Sequence, residues 1–137
     1  MKPRHRHKAR RLALQAIYQW SIAHTALSEL EQQFMEENDP HKVDMAYFQE
    51  LIAGVIHHVN DLDAQISAVS HRPVAQLDPI ELSVLRLATY ELTYRLEIPY
   101  RVVINEALEL NKTFGTEEGY KFVNSVLDKI ASPRASL

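Results

Sequence analysis

The sequence predicts an all-α protein. Apolar residues recur at helical spacing in about seven segments, and helix start and stop signals separate them. Only three glycines occur, too few for the tight turns of a sandwich or barrel. No run alternates apolar and polar residues as a half-buried strand does. A chain of 137 residues fits one compact unit or two small packed sub-units, with enough burial for a core that needs no staples.

The first helix is expected from about His7 to His24, with Leu12, Ala13, Ala16, Ile17 and Trp20 on its inner stripe. Arg10, Arg11, Leu14, Gln15, Tyr18 and Gln19 fall mostly away from that stripe. Pro3 is expected to keep the first residues irregular, leaving residues 1–6 as a flexible basic arm. Ser28 with Glu31 has capping-box spacing for a second helix through Leu30, Phe34 and Met35. Asp44 is the expected N-cap of a third, with a Val43/Phe48 staple and an inner stripe of Phe48, Leu51, Ile52, Val55 and Val59. Asn60 or Asp61 opens a fourth, with Leu62, Ile66 and Val69 inward, and Ser70–Pro73 breaks the chain. That break divides an N-terminal part of about 8–70 from a C-terminal part of about 74–132.

The second half is punctuated more sharply. Asp78 at N-cap, Pro79 at N1, Glu81 at N3 and a Leu77/Leu82 staple open a fifth helix, with Leu82, Leu85, Ala88, Leu92 and Leu96 inward. A sixth carries Tyr100, Val103, Ile104, Ala107, Leu110 and Phe114, and Gly115 has the position of a left-handed C′ residue. Thr116 caps the seventh, whose stripe is Gly119, Val123, Val126, Leu127 and Ile130, and Pro133 is expected to stop it.

Charge is distributed unevenly. Lys2, Arg4, Arg6, Lys8, Arg10 and Arg11 put six cations before the first acid, Glu29, while the chain after Arg11 carries nine bases against eighteen acids. A net charge of −3 therefore hides a cationic end on an acidic body, which points to a polyanionic partner. Histidines 5 and 7 are expected to add pH-dependent positive charge there. Tyr18, Gln15 and Gln19 follow on the same helix. Cations with an aromatic and amides are what single-stranded RNA takes: phosphate neutralisation, stacking and edge contacts.

Catalytic signals are weak. No carboxylate stands in an apolar context, His57 and His58 are adjacent and diverge, and no glycine-rich phosphate loop or HExxH is present. The expectation is no enzyme, no cofactor and no metal. Without cysteine there is no disulfide or thiolate site, which fits a reducing, cytoplasmic setting. No apolar run approaches the roughly 18 residues of a membrane span.

Ala9-Arg10-Arg11 with Ala13 to Trp20, Tyr47 to Val55, Leu85 to Leu92, Ile98 to Ala107, Glu109-Leu110, Lys112 to Gly115 and Lys121 to Lys129 together resemble the NusB family of bacterial transcription antitermination factors. The resemblance runs essentially end to end. It implies two packed three-helix sub-bundles, pairing with the ribosomal protein NusE, and binding to boxA RNA within the RNA polymerase antitermination complex, above all on ribosomal RNA operons. Carried over residue by residue, it implies an RNA face of Lys2, Arg6, Arg10 and Gln15, extended by Arg86, Lys121, Phe122 and Asn124; the charge pattern adds Arg4 and Lys8. It implies a NusE face of Tyr18, Glu81 and Glu118. Phe122 has a rival role as core, Glu81 as a capping acid, and Arg86 as one half of an ion pair. The alternatives are a NusB-like module serving an RNA methyltransferase in trans, or a helical interaction module without RNA, such as a homodimer.

Overall fold

The computed structural model describes residues 2–135. Among them are seven α-helices and no strand: α1 Pro3–Ala23, α2 Leu27–Glu37, α3 Met45–His57, α4 Val59–Val69, α5 Pro79–Tyr94, α6 Tyr100–Phe114 and α7 Glu117–Ala135, with a 3-10 turn at Val74–Gln76. The all-α expectation holds. The chain divides into two compact units, Met1–His57 and His58–Leu137.

In the first unit α1, α2 and α3 pack on one another. Ala9, Ala13, Ala16 and Ile17 are fully buried. Small residues at that spacing allow α3 to approach closely, presenting Phe48, Leu51, Ile52 and Val55. Phe34 of α2 closes the core, its ring 5.6 Å from that of Phe48. Leu14, expected away from the inner stripe, is 1% exposed, whereas Leu12 is only half-buried. Asp44 caps α3 as expected, its Oδ1 accepting from the Tyr47 N–H at 3.1 Å. The Ser28 cap does not form. Helix α2 starts two residues earlier than that cap requires, at Leu27, after an extended Ala26 with no side-chain cap.

The second unit is built round α5, buried without interruption from Ser83 to Leu92 and packed by α4, α6 and α7. Asp78 caps it, its Oδ2 accepting from the N–H groups of Ile80 and Glu81 at 3.0 and 3.1 Å. Leu96, expected inward, lies beyond the end of α5 and is 66% exposed. The expected division at Pro73 is also displaced. Helix α4 belongs with α5 and α7, and Ser70–Pro73 is a loop inside the second unit. Pro73 holds the residue before it out of helical backbone, but Leu62 and Ile66 determine which core α4 joins.

Two further punctuation marks act differently from expectation. Gly115 is extended (φ −110°, ψ −160°) rather than left-handed. Space is what requires glycine there: a Cβ would collide with the side chain of Asn111 and lie 2.9 Å from its carbonyl oxygen. Pro133 does not stop α7, which continues to Ala135. In a last turn proline removes one helical hydrogen bond. The adjoining Arg134 anchors that turn by donating to the carbonyls of Leu92, Leu96 and Ile98.

Candidate nucleic-acid interface

Pro3 occupies N1 of α1, where its fixed φ and missing N–H suit a helix start. Residues 3–6 are therefore the first turn of α1, not an irregular arm. Lys2 is the exposed, extended N-cap. This turn contains no acid, and its cations oppose the helix dipole. Helix stability alone gives no reason for them.

Helical geometry sorts the cations onto two faces. Arg4, Lys8, Arg11 and Gln15, spaced by four, three and four, are exposed and form one ridge. Arg6 and Arg10 turn toward α3, with guanidinium carbons 4.2 and 5.6 Å from the centre of the Tyr47 ring. Arg6 is half-buried and Arg10 is 3% exposed. Helix α1 is tied to the approach to α3 by the Asp44 N–H, which donates to the His5 carbonyl at 3.1 Å. The His5 pKa lies below its ordinary value because of partial burial and the neighbouring charges of Arg4, Lys2 and Lys8. Its charge appears only at more acid pH, so it adds less to the cationic end than the sequence suggests. Gln15 holds its amide through a 3.3 Å bond to the Arg11 carbonyl. Tyr18 is half-buried.

In the second unit the predicted residues divide. Nε and Nη2 of Arg86 each donate to Asp63 at 2.8 Å, and Arg86 is 9% exposed. The ion-pair role thus accounts for Arg86, because its fork is committed to a carboxylate. Phe122 is half-buried, with the Arg72 guanidinium 4.4 Å above its ring centre. Lys121 is exposed and Asn124 half-buried. Lys121 and Lys112 border a cleft of about 630 Å³ beside the α6–α7 turn. Glu81 packs under Gly119, where a Cβ would lie 3.1 Å from its Cγ and Cδ. Burial, Asp78 and Glu118 push the Glu81 pKa up, and Arg72 pulls it down. Glu118 is exposed.

Arg11 is one of the six cations of the sequence, and it joins the site only through its place on the ridge. Its spacing from Arg4 and Lys8 is the signal that finds it. Lys42, beside the same face of α1, and Arg72, over Phe122, leave no such signal, because each arrives from a loop.

Fold and site define an all-helical protein presenting a rigid cationic ridge suited to a polyanion. The family model described as "NusB family" matches residues 7–132. The chain is 54% identical over 129 residues to the transcription antitermination protein NusB of Idiomarina loihiensis, covering 94% of this chain and 93% of the relative. It is 53% identical over 127 residues to that of Coxiella burnetii, covering 93% and 92%. Among solved structures, T. maritima NusB superposes with a TM-score of 0.83 at 33% identity, covering 96% of this chain and 92% of that one. A chain from the crystal structure of the antitermination factors NusB and NusE in complex with dsRNA gives 0.85 at 26% identity, covering 96% and 99%. The chain belongs to the NusB family.

Proposed function

We propose that this chain is a non-catalytic transcription antitermination factor that binds RNA and pairs with NusE. The observation that carries the RNA reading is the exposed ridge Arg4, Lys8, Arg11 and Gln15 on α1. It sets cations along a rigid line that begins with Arg4 in the first turn, where the helix dipole disfavours positive charge. The relatives' names and the solved complex of NusB and NusE with dsRNA support the same reading.

Its finer content is the boxA element of nascent transcripts, chiefly of ribosomal RNA operons, met in the cytoplasm within the RNA polymerase antitermination complex. The proposed RNA face of the first unit is Lys2 with the ridge; Arg6 and Arg10 strengthen the local potential from behind while stacked on Tyr47. In the second unit Lys121, Phe122 and Asn124 serve RNA, and Arg86 is left to Asp63. Tyr18, Glu81 and Glu118 serve NusE. Among the described residues no helix is long and apolar enough to cross a membrane, and no three His, Cys, Asp or Glu side chains gather as a metal site would need.

Titration of labelled boxA RNA and a scrambled control, each with and without NusE, tests the proposal. We expect a preference for boxA that widens with NusE. Equal affinity for both RNAs under both conditions would overturn it.

A further inference from the structure

Beside the α1 ridge lies a cleft of about 300 Å³, walled by α1 and the loop between α2 and α3. This is the small end of the roughly 300–1,000 Å³ range of small-ligand sites. Lys8 and Arg11 enter from α1 and Lys42 from the loop. None of the three makes a direct ion pair among the described residues, and Lys42 lies near enough to the Asp39 carboxylate to help lower its pKa. Three cations converging on one concavity repel one another, so the arrangement favours an anion between them.

Phosphate alone would not explain the rest of the wall. Asp39 also lines the cleft. Its Oδ1 accepts from the His41 backbone N–H at 2.9 Å and meets the His41 ring at 3.1 Å. These bonds lower its pKa, so it remains a carboxylate and can only accept hydrogen bonds. Asn38 uses its amide N–H on the Phe34 carbonyl at 2.8 Å, which leaves its side-chain oxygen as an acceptor. Leu12 and Val43 supply an apolar surface. Cations for a phosphate, acceptors for N–H groups and an apolar floor together describe a nucleotide.

We propose that this cleft is a single-nucleotide subsite, in which Lys8, Arg11 and Lys42 hold the phosphate while Asn38 and Asp39 receive the amino-bearing edge of one unstacked base. The inference rests on the RNA reading above. It gives that reading a place where base identity, not charge alone, is sensed. Adenine, guanine and cytosine carry the required amino group, and uracil does not.

The experiment uses the full chain and labelled boxA RNA over a series of salt concentrations. Arg11→Ala/Lys42→Ala should bind about tenfold more weakly at low salt. Its log–log salt slope should fall by about 0.7 for each phosphate no longer neutralised. A second arm places one abasic site at each position of the RNA in turn. At one amino-bearing base the loss should be several-fold in the wild type and absent in Asn38→Ala/Asp39→Ala. A wild type that binds no RNA overturns this inference together with the RNA reading. A wild type that binds, with an unchanged slope in Arg11→Ala/Lys42→Ala or with additive losses at every abasic position, overturns the subsite alone.

Discussion

Arg86 donates two hydrogen bonds of 2.8 Å to the Asp63 carboxylate in a part-buried pair within the second unit. Removing one partner strands a charge, and replacing the cation with an apolar chain of similar length does not. Asp63→Ala should therefore cost about 3 kcal/mol in urea unfolding, and Arg86→Met distinctly less. Glu81 is the other residue whose surroundings can be measured. Its folded pKa is raised, so its favourable contribution is complete below the unfolded value and is lost as pH rises through the folded one. Glu118→Gln removes one of the charges that raise it and should lower the Glu81 pKa, read from the side-chain carboxyl signal by NMR. At this scale the sequence was legible for composition and poorly legible for direction. Six cations in eleven residues were plain, but Arg6 and Arg10 face inward because Tyr47 lies there. No local pattern in α1 announces a ring supplied by α3.

Among elements, caps separate what spacing predicts from what packing decides. Asp78 and Ser28 both carry helix-start signatures, yet only Asp78 accepts backbone N–H bonds. Asp78→Ala should lose about 1 kcal/mol and Ser28→Ala close to nothing, measured by thermal or urea unfolding. Helix α1 ends on His24, the one described non-glycine residue with positive φ (57°), whose N–H donates to the Trp20 carbonyl. A left-handed residue with a Cβ is held there at a cost of about 1 kcal/mol. His24→Gly should recover part of it and raise the melting temperature. Most of the helices were legible from apolar stripes about two turns long or more, while α2 buries only Leu30 and Phe34 and was legible mainly from its flanking breaks. The ends of α1 and α7 were not, since a proline stops a helix in some positions and starts or ends one smoothly in others. The role of Gly115 was hidden because the collision that requires it involves Asn111, one turn back on α6.

For the molecule as a whole, the division of charge can be tested by truncation. Deleting residues 1–8 should weaken RNA binding and flatten its salt dependence. It should also lower the melting temperature, because the His5 carbonyl that accepts from Asp44 and the Arg6 stack on Tyr47 go with it. A truncated protein of unchanged stability would show that the first turns of α1 are not integral to the first unit. For the proposed partner face, Glu81→Ala should reduce NusE binding more than it reduces stability, compared by titration and melting of the same samples. Family membership was legible from end to end; the loop-borne Lys42 and Arg72 were not, since only folding brings them beside α1 and Phe122. The helical start of α1 at Pro3 has a thermodynamic consequence of its own. A segment that orders as it binds pays in entropy and shows a large negative heat-capacity change, whereas cations already fixed on a helix meet their ligand almost as a rigid body. Calorimetry of the RNA complex should accordingly give a small heat-capacity change, with an entropy gain dominated by ions released from the phosphates.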